Sequence, residues 1–489
     1  MPAKGEANAC SHAGNISSNT IYRNVNDADD QFDIFADATL VLRANDILTD
    51  DAITGAGLLR VSGSTTIDNS LTLDDTATLA NASMVTQNDA RLVIGTQASD
   101  AATVRNDSDA TWTISSDSSI ESEGESAFIN LGTLLQTGVF NSEVDGNFYD
   151  RGGTIEISGE MDFFSGATPQ RFVDDEISGK GKFQLIGGVL DGSDISTAST
   201  DLGDVRANGD VTISSAIADF TFLTINNGSV VSLTGEGAQV PLRDEISGGG
   251  TLIIGGDDSV SGGGEQLSLV GAITLDNQGD TTFPSGTFLV AEPYAGDQVK
   301  IENSAGATWT DTISNLSTFS GEGPGTSSFV NDGTFIEDST KGADFSISVV
   351  NNGTMEGDQG LLTFYDSLSG TGTVEVGDSN AWFQSLVSSD QKVNFNSSNT
   401  NASPTLILDD ASIFNGGTIT GFDQNGATGD QIQLMSGADF NGYVSNSNNT
   451  GGYLELNNST QDPLKINVVG SYDPTGWHIN NDVITYSPT

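Results

Sequence analysis

Residues Asp244–Asp258 read DEISGGGTLIIGGDD, and the same pattern occurs three more times in the chain. It appears as DAITGAGLLRVSG from Asp51, as DEISGKGKFQLIGG from Asp175 and as DSLSGTGTVEVGD from Asp366. The copies share an aspartate, an aliphatic residue, a serine or threonine, a Gly-x-Gly triplet and a run of alternating apolar residues. A pattern that recurs along one chain indicates a repeat architecture.

The repeats have a long period of about 200 residues. The four aspartates that open the pattern form two pairs, with spacings of 124 and 122 residues. The sequence DATWT at 109–113 returns as GATWT at 306–310. Likewise, FINLGTL at 128–134 returns as FVNDGTF at 329–335, which is 201 residues later. These markers predict a tandem duplication.

The duplication predicts four segments. Residues 1–45 are polar and are expected to form an N-terminal tail or cap. Residues 46–243 and 244–423 are the two large units, and residues 424–489 are expected to form a C-terminal β cap. Caps are expected because the open end of a stacked array exposes an unpaired strand edge.

A shorter period lies inside each unit. Gly132-Thr133 recurs as Gly153-Thr154 after 21 residues, and Gly333-Thr334 recurs as Gly353-Thr354 after 20. Such a spacing is typical of one coil of a β-solenoid. The runs between turn residues alternate apolar and polar side chains, as strands do. We therefore predict an all-β protein, an elongated right-handed parallel β-solenoid (β-helix) with roughly 20 residues per coil.

Two features of the repeats could be mistaken for binding sites. Each Gly-x-Gly is followed by a strand, whereas a phosphate-binding loop would open a helix, so these glycines are expected to form corners. Trp112 and Trp309 lie at matching positions in the two units. We expect both in the core, and an exposed role in sugar stacking is the alternative.

The charge balance excludes some classes of partner. The chain has 67 acidic and 16 basic residues, for a net charge of −51. Nucleic-acid binding is not expected, because no basic stripe is present to neutralise phosphates. Membrane insertion is not expected either, since no run approaches the ~20 apolar residues of a spanning helix. An acidic, solvated surface is the main interpretation, and weak calcium binding along rows of carboxylates is the alternative.

The sequence contains no set of residues that indicates catalysis. His12 and His478 are the only histidines, and Cys10 is the only cysteine. A nucleophilic site needs a histidine held by a third group, and a zinc site needs several such ligands. The aspartates between Asp27 and Asp33 match a calcium loop only weakly. We therefore assign no catalytic, cofactor-binding or metal-binding residues and predict that the protein is not an enzyme.

The turn motifs resemble those of a known group of proteins. FVNDGTF at 329–335, NGTM at 352–355 and SGTGTV at 369–374 resemble the coils of secreted bacterial β-solenoid surface proteins. These are the filamentous-haemagglutinin-like adhesins and the autotransporter passengers. The resemblance implies secretion, an extracellular or cell-surface location, and a structural or adhesive role.

Three functions are therefore compared. The first is a non-enzymatic extracellular or cell-surface rod with a structural or adhesive role. The second is a self-assembling subunit of a filament, surface layer or virion fibre. The third is a polysaccharide-degrading enzyme built on a β-helix, which would need paired carboxylates. The expected partners are a second copy of the chain or surface glycans, and no cofactor is expected beyond weakly bound calcium.

Overall fold

A computed structural model describes residues 14–487 apart from short gaps. The gaps lie at 18–19, 23–28, 44, 116, 167, 236, 262–265, 284–287, 292–296, 313–315, 322–325, 397–402, 423–428, 437–438 and 458–462. The predicted fold class is confirmed: the chain is all-β, and its parallel strands stack as a β-solenoid of about 16 turns with roughly 21 residues per turn. By their contacts the residues divide into two compact units. From here on, unit 1 is Met1–Thr234 and unit 2 is Gly235–Thr489.

The strands of unit 1 have the following bounds: β1 Gly14–Ile16, β2 Thr20–Tyr22, β3 Gln31–Ile34, β4 Thr39–Leu42, β5 Asp46–Gly55, β6 Leu58–Val61, β7 Ser64–Leu73, β8 Thr78–Asn81, β9 Met84–Ile94, β10 Thr103–Asn106, β11 Thr111–Ser115, β12 Ser119–Ser122, β13 Ala127–Asn130, β14 Thr133–Gln136, β15 Asn141–Asp145, β16 Phe148–Arg151, β17 Thr154–Ile157, β18 Glu160–Phe164, β19 Gln170–Val173, β20 Glu176–Gly179, β21 Lys182–Asp191, β22 Asp194–Ser196, β23 Ser199–Ala207, β24 Val211–Ile213, β25 Ile217–Ile225 and β26 Val230–Leu233.

The strands of unit 2 have the following bounds: β27 Gln239–Gly248, β28 Thr251–Ile254, β29 Ser259–Ser261, β30 Gln266–Gly271, β31 Thr274–Asn277, β32 Asp280–Phe283, β33 Phe288–Ala291, β34 Lys300–Asn303, β35 Thr308–Asp311, β36 Ser317–Gly321, β37 Ser328–Asn331, β38 Thr334–Glu337, β39 Ala343–Phe345, β40 Ser348–Asn351, β41 Thr354–Gly357, β42 Leu362–Phe364, β43 Leu368–Ser369, β44 Thr373–Val376, β45 Asn380–Phe383, β46 Lys392–Phe395, β47 Thr405–Leu408, β48 Thr418–Thr420, β49 Gln431–Leu434, β50 Asp439–Ser445, β51 Gly451–Asn457, β52 Leu464–Val469, β53 Trp477–Asn480 and β54 Val483–Tyr486. Short 3₁₀-helices lie at Ala411–Phe414 and Pro474–Gly476.

Each coil pairs in parallel with the next. In the middle of unit 1 a coil has three strands, so that β13, β14 and β15 pair with β16, β17 and β18. The parallel pairing begins early in the chain, because β3 and β4 already pair with β5 and β6. After Leu434 the pattern changes, and β50, β51 and β52 pair in antiparallel order, as do β53 and β54.

The core lies inside the coils. Inward residues alternate with outward ones, so strands such as β35, β38 and β44 show an intermediate–buried–intermediate–buried pattern. Aromatic side chains on successive coils contact each other: the ring centroids of Phe128 and Phe148 lie 5.6 Å apart, and those of Phe345 and Phe364 lie 5.3 Å apart. Trp112 and Trp309 are 0% and 1% exposed. Both are therefore core residues, as expected, and neither can stack on a sugar in solution.

The Gly-x-Gly triplets form corners, as predicted. The first glycine of each triplet has positive φ, with values of 92°, 130°, 117° and 101° for Gly55, Gly179, Gly248 and Gly370. Glycine adopts this conformation at little steric cost. The second glycine provides close approach instead: a Cβ on Gly181 would lie 2.1 Å from the carbonyl oxygen of Gly159 on the preceding coil.

A line of buried amides runs through each unit. In unit 2, the side-chain Nδ2 of Asn303 donates to Oδ1 of Asn331 over 2.8 Å, and Asn331 donates in the same way to Asn351 over 2.9 Å. Asn331 also donates to the carbonyl oxygen of Thr354. In unit 1, Asn81, Asn106 and Asn130 form the same ladder. Because each amide bonds both a neighbouring amide and the backbone, the ladder fixes the stacking register.

We expect Asn331→Ala to lower the free energy of unfolding by about 2–4 kcal/mol, because it leaves buried partners on two neighbouring coils unsatisfied. Asn352→Ala is the matched control, since Asn352 is exposed and its side chain donates to Asp332 and accepts the N–H of Thr371 over 3.4 Å, both at the surface. Urea denaturation of both variants measures the difference. Equal losses in the two variants would show that the amide ladder does not hold the coils.

Candidate functional site: the arginine face of unit 1

Arginine is distributed unevenly along this acidic chain. All nine arginines precede residue 244, and the remaining basic residues are seven lysines. Four of the nine, Arg60, Arg105, Arg171 and Arg206, occupy one outward position of the stacked coils. We call these four the arginine column. Long cationic side chains on one face of a protein with a net charge of −51 form a local site of opposite sign.

The strand registers establish the column. The register position that holds the column runs over eight successive coils, through Arg60, Ala80, Arg105, Ile129, Tyr149, Arg171, Val189 and Arg206. The arginines are thus separated by two, three and two coils. Since parallel strands lie about 4.8 Å apart, the guanidinium groups recur at intervals of about 10–14 Å.

Among the described residues, most of these arginines have no carboxylate partner. Arg105 pairs with Asp107, with 2.6 Å between Nε and Oδ1. Within the described residues, Arg60, Arg171 and Arg206 have no carboxylate within ion-pair distance, although all three are exposed. In a chain with 67 acidic residues, unpaired arginines in one column leave cationic groups available to an external anion.

Two shallow hollows lie along this face. The first has a volume of about 440 Å³ and lies beside Arg60 and Arg105. It is lined by Arg60, Ala82, Arg105, Asp107, Ser108, Asp109, Ala110 and Leu131. The second, of about 350 Å³, is lined by Tyr149, Arg151, Gly152, Arg171, Val173 and Asp174. Arg151 lies in the second hollow with its Cζ 5.9 Å from the centre of the Tyr149 ring.

A buried acid pair lies beneath the second hollow. Asp150 replaces asparagine at the end of the unit 1 ladder and accepts a hydrogen bond from Asn130 over 3.1 Å. Burial, as the largest cause, raises the pKa of Asp150 to about 6 and that of Asp175 to about 8. Asp175 accepts the Gly152 N–H over 2.8 Å and shares a hydrogen bond with Asp150. The pair therefore holds a proton near neutral pH, and it is too deeply buried to contact a ligand.

A second acid pair is found in unit 2. Asp311 and Glu337 are register partners on adjacent coils, and both are buried. Burial, followed by the nearby Asp311, raises the pKa of Glu337 to about 8. The Ser339 N–H donates to Glu337 over 3.1 Å. This pair also lies in the interior, so its carboxyls affect the stability of the fold and are not available to a ligand at the surface.

The aspartate that opens each repeat has no single role. Asp51 and Asp175 are buried, and burial raises the pKa of Asp51 to about 7. Asp366 is exposed and accepts the N–H of Ser367. The side chain of Asp244 lies outside the described residues. The sequence pattern thus marks a corner, and the environment of its aspartate differs from copy to copy.

Unit 2 carries the opposite charge at equivalent positions. The amide ladder and the buried tryptophans align Asn106 with Asn303, so that Arg105 corresponds to Glu302. One coil earlier, Ala80 corresponds to Asp276, and Asp276 and Glu302 are themselves register partners. Glu302 pairs with Lys300 on its own strand. The arginine column is therefore a feature of unit 1 alone.

The acidic cluster, the cysteine and the histidines considered in the sequence form no metal site among the described residues. In the described part of the chain, no group of three or more histidine, cysteine, aspartate or glutamate side chains could hold a metal ion. Cys10 and His12 lie outside the described residues, as does Asp27. His478 is exposed on β53. The described residues also include no helix that is long and apolar enough to cross a membrane.

Comparison with protein families, characterised proteins and solved structures gives no match for this chain. The resemblance to bacterial adhesins therefore extends only to the β-solenoid fold.

We expect the buried acid pairs to make stability fall as pH rises. In the unfolded chain these carboxyls lose their protons near pH 4, whereas the folded pair keeps one until about pH 8, so the native state binds more protons in between. Asp175→Asn keeps a neutral group there and should reduce the loss of unfolding free energy between pH 5 and pH 8 by about 2–4 kcal/mol.

Urea denaturation at the two pH values checks this, with the exposed neighbour Asp174→Asn as the control. A pH dependence that Asp175→Asn leaves unchanged would contradict the assignment of a protonated pair.

Proposed function

We propose that the protein is a non-enzymatic structural β-solenoid of the cell surface or extracellular space, and that it adheres to an anionic partner through the arginine column. The observation that carries this proposal is the set of four arginines at one register position, three of which are exposed and have no carboxylate partner among the described residues. Stacked coils repeat an outward position at a fixed interval, which suits weak contacts made many times along one surface.

The interior supports a structural role. The inward positions are filled by apolar side chains, amide ladders and protonated acid pairs, so the outward columns are the positions left for recognition. An acidic outer surface keeps such a protein soluble, and the arginine column provides a restricted region for binding anions.

Antibody labelling of intact cells and of the culture medium tests the proposed location at the cell surface or in the extracellular space, and labelling found only after lysis would contradict that location.

The triple variant R60Q/R105Q/R206Q should bind a carboxymethyl-dextran surface roughly tenfold more weakly than the unmodified chain, since exposed charges each contribute a fraction of a kcal/mol. Binding should also weaken as NaCl rises from about 0.05 to 0.5 M, because salt screens exposed charges. Surface plasmon resonance on carboxymethyl-dextran and on neutral dextran measures both effects.

The matched control is Arg91→Gln. Arg91 is exposed in unit 1 but lies outside the column and pairs with Glu121. Equal losses for R91Q and the triple variant, or equal binding to neutral dextran, would contradict adhesion through the column. Release of shorter saccharides from an acidic polysaccharide would contradict the non-enzymatic part of the proposal.

A self-assembling subunit is the second candidate, and the inverted charge at equivalent positions favours it. The arginine column of one copy could contact the half-buried carboxylate of Glu302 in another, because both are built on coils of the same pitch. Sedimentation velocity with and without millimolar calcium separates the candidates. Ordered assembly would favour the subunit, whereas a monomer under both conditions would favour adhesion to a different partner.

A further inference from the structure

We propose that the hollow lined by Tyr149, Arg151 and Arg171 binds a carboxylate-bearing sugar unit of an acidic polysaccharide. This proposal rests on the proposed adhesive function, and it names the partner that binds at one of the two hollows along the arginine column. The hollow has a volume of about 350 Å³, within the usual range of small-ligand sites. The following steps give the reasons for this chemistry.

The hollow is cationic. Arg151 and Arg171 both line it, and both are exposed. Across the described residues neither guanidinium has a carboxylate within ion-pair distance. A guanidinium is planar and binds a carboxylate through two parallel hydrogen bonds, which makes a carboxylate a better match than a neutral ligand.

The hollow also has an aromatic wall. Tyr149 faces Arg171 in the register of adjacent coils, and the Arg151 guanidinium lies 5.9 Å from the Tyr149 ring centre. The ring is half-buried, so its orientation is held by the sheet. A pyranose ring presents an apolar C–H face that packs on an aromatic ring, while its carboxylate remains free to pair with arginine.

The remaining lining suits the hydroxyl groups of a sugar. Asp174 is exposed at the rim, where its carboxylate can accept hydrogen bonds from hydroxyl groups. The same carboxylate disfavours a ligand with a high density of negative charge on that side. Gly152 leaves open space, since a Cβ there would meet its nearest atom only at 4.0 Å. Acidic peptides lack the combination of a flat apolar ring face and hydroxyl groups.

Unit 2 has no counterpart of this site. The amide ladder aligns Tyr149 with Val350 and Arg151 with Asn352, so both the aromatic wall and a guanidinium are missing there. The outward residue on the following coil is Ser369, at the position of Arg171. The site is therefore a local departure from the repeat, and the fold does not require it.

Isothermal titration calorimetry of the full chain with polygalacturonate tests the proposal. R151Q/R171Q should weaken binding about 10- to 100-fold, the loss expected for charge-assisted hydrogen bonds, and Y149A should weaken it severalfold. R91Q is the matched control, because Arg91 is exposed in the same unit but lies outside both the column and the hollow. It should change the affinity less than threefold, and circular dichroism should show that all variants fold.

Two further ligands separate the possible outcomes. Methyl-esterified polygalacturonate lacks the charge, and poly-glutamate lacks the sugar, so both should bind at least tenfold more weakly. If poly-glutamate binds equally, or if R206Q, which alters the column outside the hollow, loses as much affinity as R151Q/R171Q, the hollow is not a sugar site, although the arginine column still acts as an adhesive surface. If no arginine variant affects binding to any polyanion, both the hollow and the proposed function are wrong.

Discussion

Parallel pairing of one coil with the next is the constraint on which the rest of the structure depends. Each strand bonds the equivalent strand of its neighbour in register, so a residue on one coil lies directly over its counterpart. Backbone bonds alone would allow the coils to slip. The buried ladder of Asn303, Asn331 and Asn351 opposes slipping, because each amide finds partners in only one register.

The same register arranges the outer surface in columns. A change of a single outward residue alters one point of a column and leaves the interior unchanged, whereas a change of an inward residue affects two neighbouring coils. Recognition is therefore expected on outward positions, and stability on inward ones. At Asp150 an inward position and two outward ones are adjacent in sequence. Asp150 ends the amide ladder as a buried acid, while its neighbours Tyr149 and Arg151 line a surface hollow.

The sequence predicted the architecture because the features that specify coils are local. Alternating apolar residues, the Gly-x-Gly corners and the 20-residue period each appear within one coil, and the glycines have the positive φ that such corners need. The burial of Trp112 and Trp309 was predictable from their matching positions. The boundaries of the four predicted segments remain predictions.

The candidate site could not be predicted in the same way. Arg60, Arg105 and Arg171 are far apart in sequence and come together only when the register of the intervening coils is known. A weak signal was present, since Arg105 directly precedes a ladder asparagine and every arginine lies in the first half of the chain. The ladder was not predicted either, because an asparagine beside a Gly-Thr pair is equally typical of a turn. Their spacing of 20–28 residues was the signal for stacking.

The most direct test of this account is the distance between two outward positions at the ends of the arginine column. Spin labels on R60C and R206C, with Cys10 replaced by serine, would be separated by seven coil steps of about 4.8 Å, or about 34 Å. Pulsed electron paramagnetic resonance should give one narrow distance near that value. A broad distribution, or a distance that differs by more than about 10 Å, would contradict the coil register on which the arginine column depends.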